Sequence, residues 1–548
     1  MNDFTSNPHN VARPPSAVPD EKSLSAPDNF HGRGRPCHKN SDSASAFRWS
    51  VYFLLICISV GAMLGRILAV DSVDRAGLEK YRLAKVEGTL EKKRAALEEK
   101  GVSGEKLERE LDRTEAKLRR SAVLRRPFLS ANDRSRWCTV RALVEEDMRT
   151  PGAPYAIDKV IQEPNWDTID MVKHDGRLYS SKPPLLPTLM AAVYWPVHRL
   201  TGANLGDHPH EIGRFMLVLF NVVPLVIYFL LLARLVERFG TTDWGRMFVM
   251  AACCFGTFLT TFAVVINNHL PAAVCALAAV YATARIWFDD ERRLRYFVVA
   301  GLFAALAAAN ELPAMSLPAA LGVALLFKAP RPTLLAFVPA VLLVAAGFFG
   351  TNWIAHGTLK PPYAHRGGEG EDNWYEYTYE RNGRTIESYW MSHWKNTKGL
   401  DKGEESQTVY ALNVLVGHHG IFSLTPVWLL SFAGMGAWML RRGDPRLRWG
   451  AAGVAAISLA CLAFYLGQPV TNRNYGGVTC GLRWMFWLAP LWLLVMLPAV
   501  DFLASRRWTR GLSLALLAFS VLSVSYPTWN PWTHPWLMDF SQYMGWGQ

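Results

Sequence analysis

Long apolar blocks, each near the length that crosses a bilayer, decide what this chain can fold into. They run at 47–70, 212–236, 247–266, 269–288, 296–309, 314–328, 333–355, 421–440, 449–466, 482–504 and 511–525. A helix needs ~20 predominantly apolar residues to cross a hydrocarbon core ~30 Å thick. The pattern therefore predicts an all-α polytopic membrane protein with about eleven transmembrane helices. The short blocks 296–309 and 314–328 are expected to tilt together as a hairpin around Asn310-Glu311-Leu312-Pro313. Charged residues make up 19% of the chain and sit mostly between the blocks, which is why the segregation, and not the average, carries the signal. Many of the Trp and Tyr residues fall near block ends, where amphipathic rings suit the membrane–water interface.

Loop charge sets the expected orientation. Arg234/Arg238/Arg246, Arg292/Arg293/Arg295, Lys328/Arg331, Arg441/Arg442/Arg446/Arg448 and Arg506/Arg507/Arg510 mark one set of connections. Basic connections favour the cytoplasm, which puts the alternating set outside: 267–269, 310–313, 356–420, 468–481 and the tail after Tyr526. The segment 184–200 is short, holds Pro187 and Pro196, and would reverse every later loop if it crossed. It reads as a juxtamembrane helix in the outer interface. The N-terminus is then cytoplasmic and the C-terminus outside.

Eight divisions follow. Residues 1–46, rich in Ser, Pro, Asn, His and Gly, read as a disordered cytoplasmic tail. Residues 47–70 read as an uncleaved signal anchor. In 71–126, Leu83, Leu90 and Leu97 repeat by sevens, Gly101 and Gly104 interrupt, and Leu107, Leu111 and Leu118 follow. That predicts a charged helical hairpin of coiled-coil type. Residues 127–211 form the first outer loop, 212–355 the first part of the bundle and 356–420 an aromatic-rich outer loop. Residues 421–525 complete the bundle, and 526–548 are an outer tail. The net charge of +12 is accounted for by topology-setting Lys and Arg, so it is no argument for nucleic acid. The eight cysteines show no metal-ligand spacing. Cys138 and Cys480 both fall outside, and a disulfide between them is an expectation.

The outer loops hold the chemistry-bearing residues. The first contains Asn132-Asp133-Arg134, then Asp158, Asp167 and Asp170, then Tyr179-Ser-Ser-Lys182-Pro183-Pro184-Leu185. A carboxylate can take the proton of an attacking hydroxyl, and a lysine offers a compact charge to phosphate oxygens of a leaving group. Each also has a plain reading, as a solvated aspartate and as a proline stop before a helix. The second outer loop reads Asn267-Asn268-His269-Leu270-Pro271, where His269 either caps the following helix or meets substrate. Glu311, at a membrane boundary, is costly unless paired or wet, and serves either an ion pair or a site. Arg483 either binds phosphate or snorkels to the interface. His418-His419 lack a third partner for a metal. The loop 361–407 carries Trp374, Tyr375, Tyr377, Tyr379, Tyr389, Trp390 and Trp394, which suit sugars, lipid headgroups or an interfacial belt.

The order of features resembles the membrane glycosyltransferases of the GT-C fold: one anchor, a long acidic outer loop, Lys182-Pro183-Pro184-Leu185, a juxtamembrane helix, then many spans. Within them the chain looks most like the protein O-mannosyltransferases and the lipid A aminoarabinose transferases. The resemblance covers roughly residues 130–500 and includes the weaker 417–426 and 476–484 segments. It implies a GT-C-like bundle with Asp133 as catalytic base and Lys182 reaching the donor phosphate. His269, Glu311 and Arg483 are the further substrate-binding candidates. The pattern departs from the family in placing Arg134, where Glu is common, after Asp133, and in adding the 71–126 hairpin.

The function implied is transfer of a sugar from a polyprenyl-phosphate donor to an extracytoplasmic hydroxyl on a glycan, lipid or protein. No cofactor is expected beyond the lipid-linked sugar as substrate. The setting implied is a bacterial cytoplasmic (inner) membrane with the active site facing the periplasm. The competing class is a transporter or flippase of a polyprenyl-linked or anionic substrate, which also needs outer cations.

Overall fold

The computed structural model describes residues 39–70, 75–122, 128–367, 370–393, 404–440, 443–470, 473–527 and 530–546. The chain divides into two units, residues 1–47 and 48–548, and the first is described only from Lys39 as the opening of a helix. The tail expected at 1–46 thus lies mostly outside the described residues. From Lys39 the chain is already helical, as α1 (Lys39–Ala69).

Among the described residues, seven helices are long and apolar enough to cross a membrane: Ser43–Ala69, Pro209–Phe239, His269–Phe288, Pro330–His356, Pro445–Leu466, Arg483–Leu503 and Arg507–Ser525. Leu294–Asn310, Leu312–Lys328 and Trp428–Leu440 are apolar but shorter. The chain is a mostly helical, polytopic membrane protein. The block at 247–266 is not one span. Its helix, Asp243–Phe255, stops at Gly256, and 257–268 runs on through a buried environment as irregular chain around one short 3-10 turn, Thr261–Val264. Irregular backbone at membrane depth survives only if its polar groups are satisfied inside the protein. Here Asn221 does part of that, donating to the carbonyls of Ala263 (2.8 Å) and Val265 (2.9 Å). Asn221 itself sits in a π-turn, Val218–Val222, just ahead of Pro224. A proline ring clashes with the carbonyl four residues back, and a wide turn relieves that clash. The π-turn Thr333–Phe337 precedes Pro339 in the same way.

Helices α2 (Arg75–Glu99) and α3 (Glu105–Ala122) form the expected hairpin, turning through Gly101 and Gly104, both at positive φ. Val86, Leu107 and Leu111 are buried in its seam, and Arg94 meets Glu108 at 3.2 Å. Leu83, first of the heptad leucines, is 38% exposed and stays outside the seam.

The bundle packs through small residues. Ala272, Ala273, Ala276 and Ala279 are buried along His269–Phe288, which lies against Leu294–Asn310. Gly434 lets Trp428–Leu440 approach the backbone of Val495 and Met496 so closely that any Cβ would collide. Helix α4 (Ala131–Val144) and helix α5 (Leu185–Thr201) pack together in the long segment between the first and second membrane-length helices. Two small antiparallel hairpins add the only strands among the described residues: β1 (Met171–His174) with β2 (Arg177–Ser180), and β3 (Thr378–Arg381) with β4 (Arg384–Glu387). A satellite core joins the two loops that carry them, with Tyr155, Val172, Tyr179, Trp374 and Tyr375 buried together. The expected Cys138–Cys480 bridge is absent. Both thiols are free and buried, and Cys138 donates to the carbonyl of Trp166 at 3.4 Å.

Candidate active site

The β1–β2 hairpin builds the centre of the site. Asp175 and Gly176 both take positive φ, as a two-residue turn between twisted strands requires. That turn fixes the register, with Met171 opposite Ser180. One step beyond the paired strands, Ser181 N–H donates to the carbonyl of Asp170 at 3.1 Å. The side chains flanking the hairpin are thereby brought together, and Lys182 Nζ donates to Asp170 Oδ1 at 2.9 Å. Ser181 Oγ adds a 3.3 Å bond to the same oxygen. Among the described residues, Asp170 Oδ2 accepts no hydrogen bond.

This pair lines a cavity of about 650 Å³, within the ~300–1,000 Å³ usual for small-molecule sites. Lys182, His269, Glu311 and Arg483 all line it, although they are spread over some three hundred residues of sequence. A hydrogen-bonded chain links most of them. Arg136, on α4, donates to Asn268 Oδ1 at 2.9 Å, and Asn268 Nδ2 donates to Glu311 Oε1 at 2.7 Å. His269 Nδ1 contacts the same carboxylate oxygen. Arg483 Nη1 donates to His269 Nε2 at 2.7 Å. A guanidinium only donates, so Nε2 is the acceptor and the imidazole proton sits on Nδ1, aimed at Glu311. His269 does not cap its helix. Asn267 does, its Oδ1 accepting from Leu270 N–H at 2.9 Å.

Arg483 is held from three sides. Its Nε and Nη2 donate to the carbonyl of Gly476 at 3.2 and 3.0 Å, and its guanidinium lies 4.8 Å from the Trp532 ring. Gly476 has φ +93°, and a Cβ there would press on the Arg483 side chain, so the turn that supplies this carbonyl needs glycine.

Burial acts to raise the Asp170 carboxyl, but Lys182, Arg136 and Arg483 outweigh it and hold it below the usual carboxylate range. The Lys182 ammonium is lowered, by burial first and by Arg136 and Arg483 in the same direction, with Asp170 opposing. Glu311, in the break between two short helices, is pushed by burial up to about 8 against the pull of Arg483 and Arg136. The cavity therefore sets the Asp170 carboxylate among three basic side chains, Arg136, Lys182 and Arg483, a setting suited to an anionic ligand.

Asp133, the expected base, is not among the residues that line this cavity, although Ser130, Ala131, Asn132 and Arg136 around it are. Asp133 Oδ1 accepts from Trp137 Nε1 at 2.9 Å and from Ile266 N–H at 3.0 Å, inside the irregular 257–268 segment. The neighbouring residues are occupied with structure too. Ser130 caps α4 by accepting from Asp133 N–H, and Arg134 donates to the carbonyls of Asp167 and Phe128, both at 2.8 Å. Asn132 Oδ1 accepts from Arg136 at 2.6 Å. In sequence, Asp170 stood only as one of several loop aspartates that could replace Asp133, Asn268 only as part of the Asn267–Pro271 run, and Arg136 was not singled out, yet all three line the cavity. The Asp175-Gly176 turn between alternating residues was the available signal for Asp170; an uncharged Asn268 gives none.

No family model matches the chain, and no curated protein matches it. Among solved structures it is similar to the oligosaccharyltransferase of Archaeoglobus fulgidus in complex with zinc and sulfate. Identity is 14% over 74% of this chain and 53% of that one, with a TM-score of 0.33. The archaeal oligosaccharyltransferase AglB from the same organism, bound to an inhibitory peptide and a dolichol-phosphate, matches at 12% identity. That match covers 73% and 54% of the two chains, with a TM-score of 0.32. The chain spans about half the length of these structures.

Proposed function

We propose that this chain is a membrane glycosyltransferase of GT-C type that moves a sugar from a polyprenyl-phosphate donor to an extracytoplasmic hydroxyl. The observation that carries the reading is the Lys182–Asp170 pair, 2.9 Å apart on the wall of a cationic cavity. It supplies, side by side, the two groups such a transfer needs. The donor phosphate is drawn to Lys182, Arg136 and Arg483. An acceptor hydroxyl reaches Asp170 Oδ2. As the acceptor oxygen bonds to the anomeric carbon, the bond from that carbon to the phosphate oxygen breaks. The phosphate leaves with the electron pair, and the hydroxyl proton passes to Asp170. A single displacement of this kind inverts the anomeric centre.

The geometry supports Asp170 as base in place of Asp133, which the resemblance favours but which serves the backbone of 257–268 instead. The Lys182-Pro183-Pro184-Leu185 resemblance agrees with the phosphate role of Lys182. Loop charge supports a site on the side of the membrane away from the cytoplasm, where no nucleotide sugar is at hand.

The test is transfer of a radiolabelled sugar from polyprenyl phosphate in proteoliposomes, alongside donor binding. Asp170→Asn is expected to cut turnover by the ~10²–10⁴ of a lost general base while donor binding changes little. Lys182→Ala is expected to weaken donor binding and turnover together. Near-normal transfer by both variants refutes the reading. Coupled uptake or flipping that survives Asp170→Asn would instead make the protein a transporter.

A further inference from the structure

Besides the charged residues, the cavity is lined by Tyr363, Tyr375, Tyr389 and Trp390 from the loop after His356. We propose that this aromatic wall is the acceptor subsite and that the acceptor is a carbohydrate, an inference that rests on the glycosyltransferase reading above.

Three observations carry it. First, the wall is a built surface and not an interfacial belt. A belt presents its rings to lipid, whereas Tyr375 is 5% exposed and Trp390 packs on the same satellite core. The first outer loop holds this segment in place. Lys173 N–H donates to the carbonyl of Trp374 at 2.9 Å, Lys173 Nζ to that of Thr378 at 2.7 Å, and Arg381 Nε to that of Ile161 at 2.9 Å. The hairpin that fixes the Asp170–Lys182 pair therefore also positions the aromatic wall.

Second, the rings form a cup. Trp390 meets Tyr389 edge to face at 5.1 Å and Tyr375 at 5.8 Å, and the Arg366 guanidinium lies 4.0 Å from the Trp390 ring. Nearly perpendicular faces suit a ring whose C–H groups point one way and whose hydroxyls point another, as in a pyranose. Among the described residues, the phenol oxygens of Tyr363 and Tyr375 make no hydrogen bond, which leaves them for ligand hydroxyls. Third, no strand residue among the described ones lines the cavity. A peptide acceptor binding by strand addition would find no main-chain edge to extend.

The full chain in lipid nanodiscs is to be examined by saturation-transfer NMR with maltotriose, chitotriose, mannotriose and a Ser/Thr-containing nonapeptide. Mass spectrometry of co-purified polyprenyl-phosphate sugar runs in parallel. At least one trisaccharide is expected to take up saturation through its ring C–H protons. Its affinity should fall about tenfold or more in Tyr375→Ala and Trp390→Ala and recover in Trp390→Phe, a recovery that a merely misfolded loop would not give. Retention of the donor lipid should persist in all three variants. The proposal is overturned if no trisaccharide binds, if the peptide binds in their place, or if the alanine variants bind sugar normally. Donor lipid retained in any of those outcomes leaves the transferase reading standing. Donor lipid absent from the unmodified protein removes that reading as well.

Discussion

Asp133→Asn separates a structural carboxyl from a catalytic one. Burial pushes the Asp133 carboxyl from an ordinary 3.8 up to about 7, although Trp137, Ile266, Arg136 and Arg134 pull the other way. Between those pH values the folded protein keeps a proton that the unfolded chain has lost, so stability falls as pH rises and levels off above about 7. At ~1.36 kcal/mol for each pH unit the interval amounts to about 4 kcal/mol, of which about 3 kcal/mol falls between pH 5 and 7. An asparagine keeps the Oδ1 that accepts both N–H groups and never ionises. The variant is therefore expected to lack this pH slope and to unfold later than the parent at pH 8, with the gap closing toward pH 5. Thermal unfolding in nanodiscs from pH 5 to 9 measures it. Sugar transfer by the variant should stay within a few-fold of the parent. A gap that does not change with pH, or a folded variant whose transfer drops by ~10² or more, refutes the structural assignment and returns Asp133 to the chemistry.

Gly176→Val forces a β-branched residue into φ +72° in the hairpin turn; it should loosen the Asp170–Lys182 pair and weaken donor binding, read by lipid retention on purification. Gly434→Ala drives a Cβ into the backbone of Val495 and should sharply lower the yield of monodisperse protein in size-exclusion chromatography, while Gly436→Ala, with nothing within 4 Å, should not. Glu311→Ala strips the acceptor from Asn268 and His269, and each buried donor left without a partner costs about 1–3 kcal/mol. Glu311→Gln keeps an acceptor oxygen and should restore most of the lost thermal stability.

The membrane class and most of the long helices were legible because a run of ~20 apolar residues has one economical fate in a bilayer. His269, Glu311 and Arg483 stood out as polar residues at the ends of such runs, where charge is costly without a purpose, and Lys182 through the Lys182-Pro183-Pro184-Leu185 run. What failed did so for local reasons. The 247–266 block is apolar throughout, and hydropathy does not record that its helix ends at Gly256 and that Asn221 then satisfies the freed carbonyls. Asp133 and Arg136 lie three apart on α4, close enough to share a face, yet one reaches the backbone at Ile266 and the other the cavity. Spacing within one helix does not reveal what packs on either flank. Asp170 depended on strand register, which the Asp175-Gly176 turn sets and which an all-helical expectation overlooks.

The polar residues around the cavity and the helix breaks fall into two groups with different duties, and the breaks explain why both are needed. A broken helix exposes backbone donors and acceptors that lipid cannot satisfy. Asn221, Asn267 and Asp133 answer that need around 257–268, binding the groups of Ala263, Val265, Leu270 and Ile266. The same breaks leave open space, and Asn268, His269 and Glu311 stand at their edges with their side chains joined, while Arg483 links His269 to the Gly476 carbonyl. Losing a member of the first group unsettles the backbone whatever ligand is present. Losing one of the second changes the charge and shape of a cavity whose walls still stand. An acid such as Asp133, conspicuous in sequence, can therefore belong to the scaffold, while Asp170, one of several loop aspartates, meets the cavity.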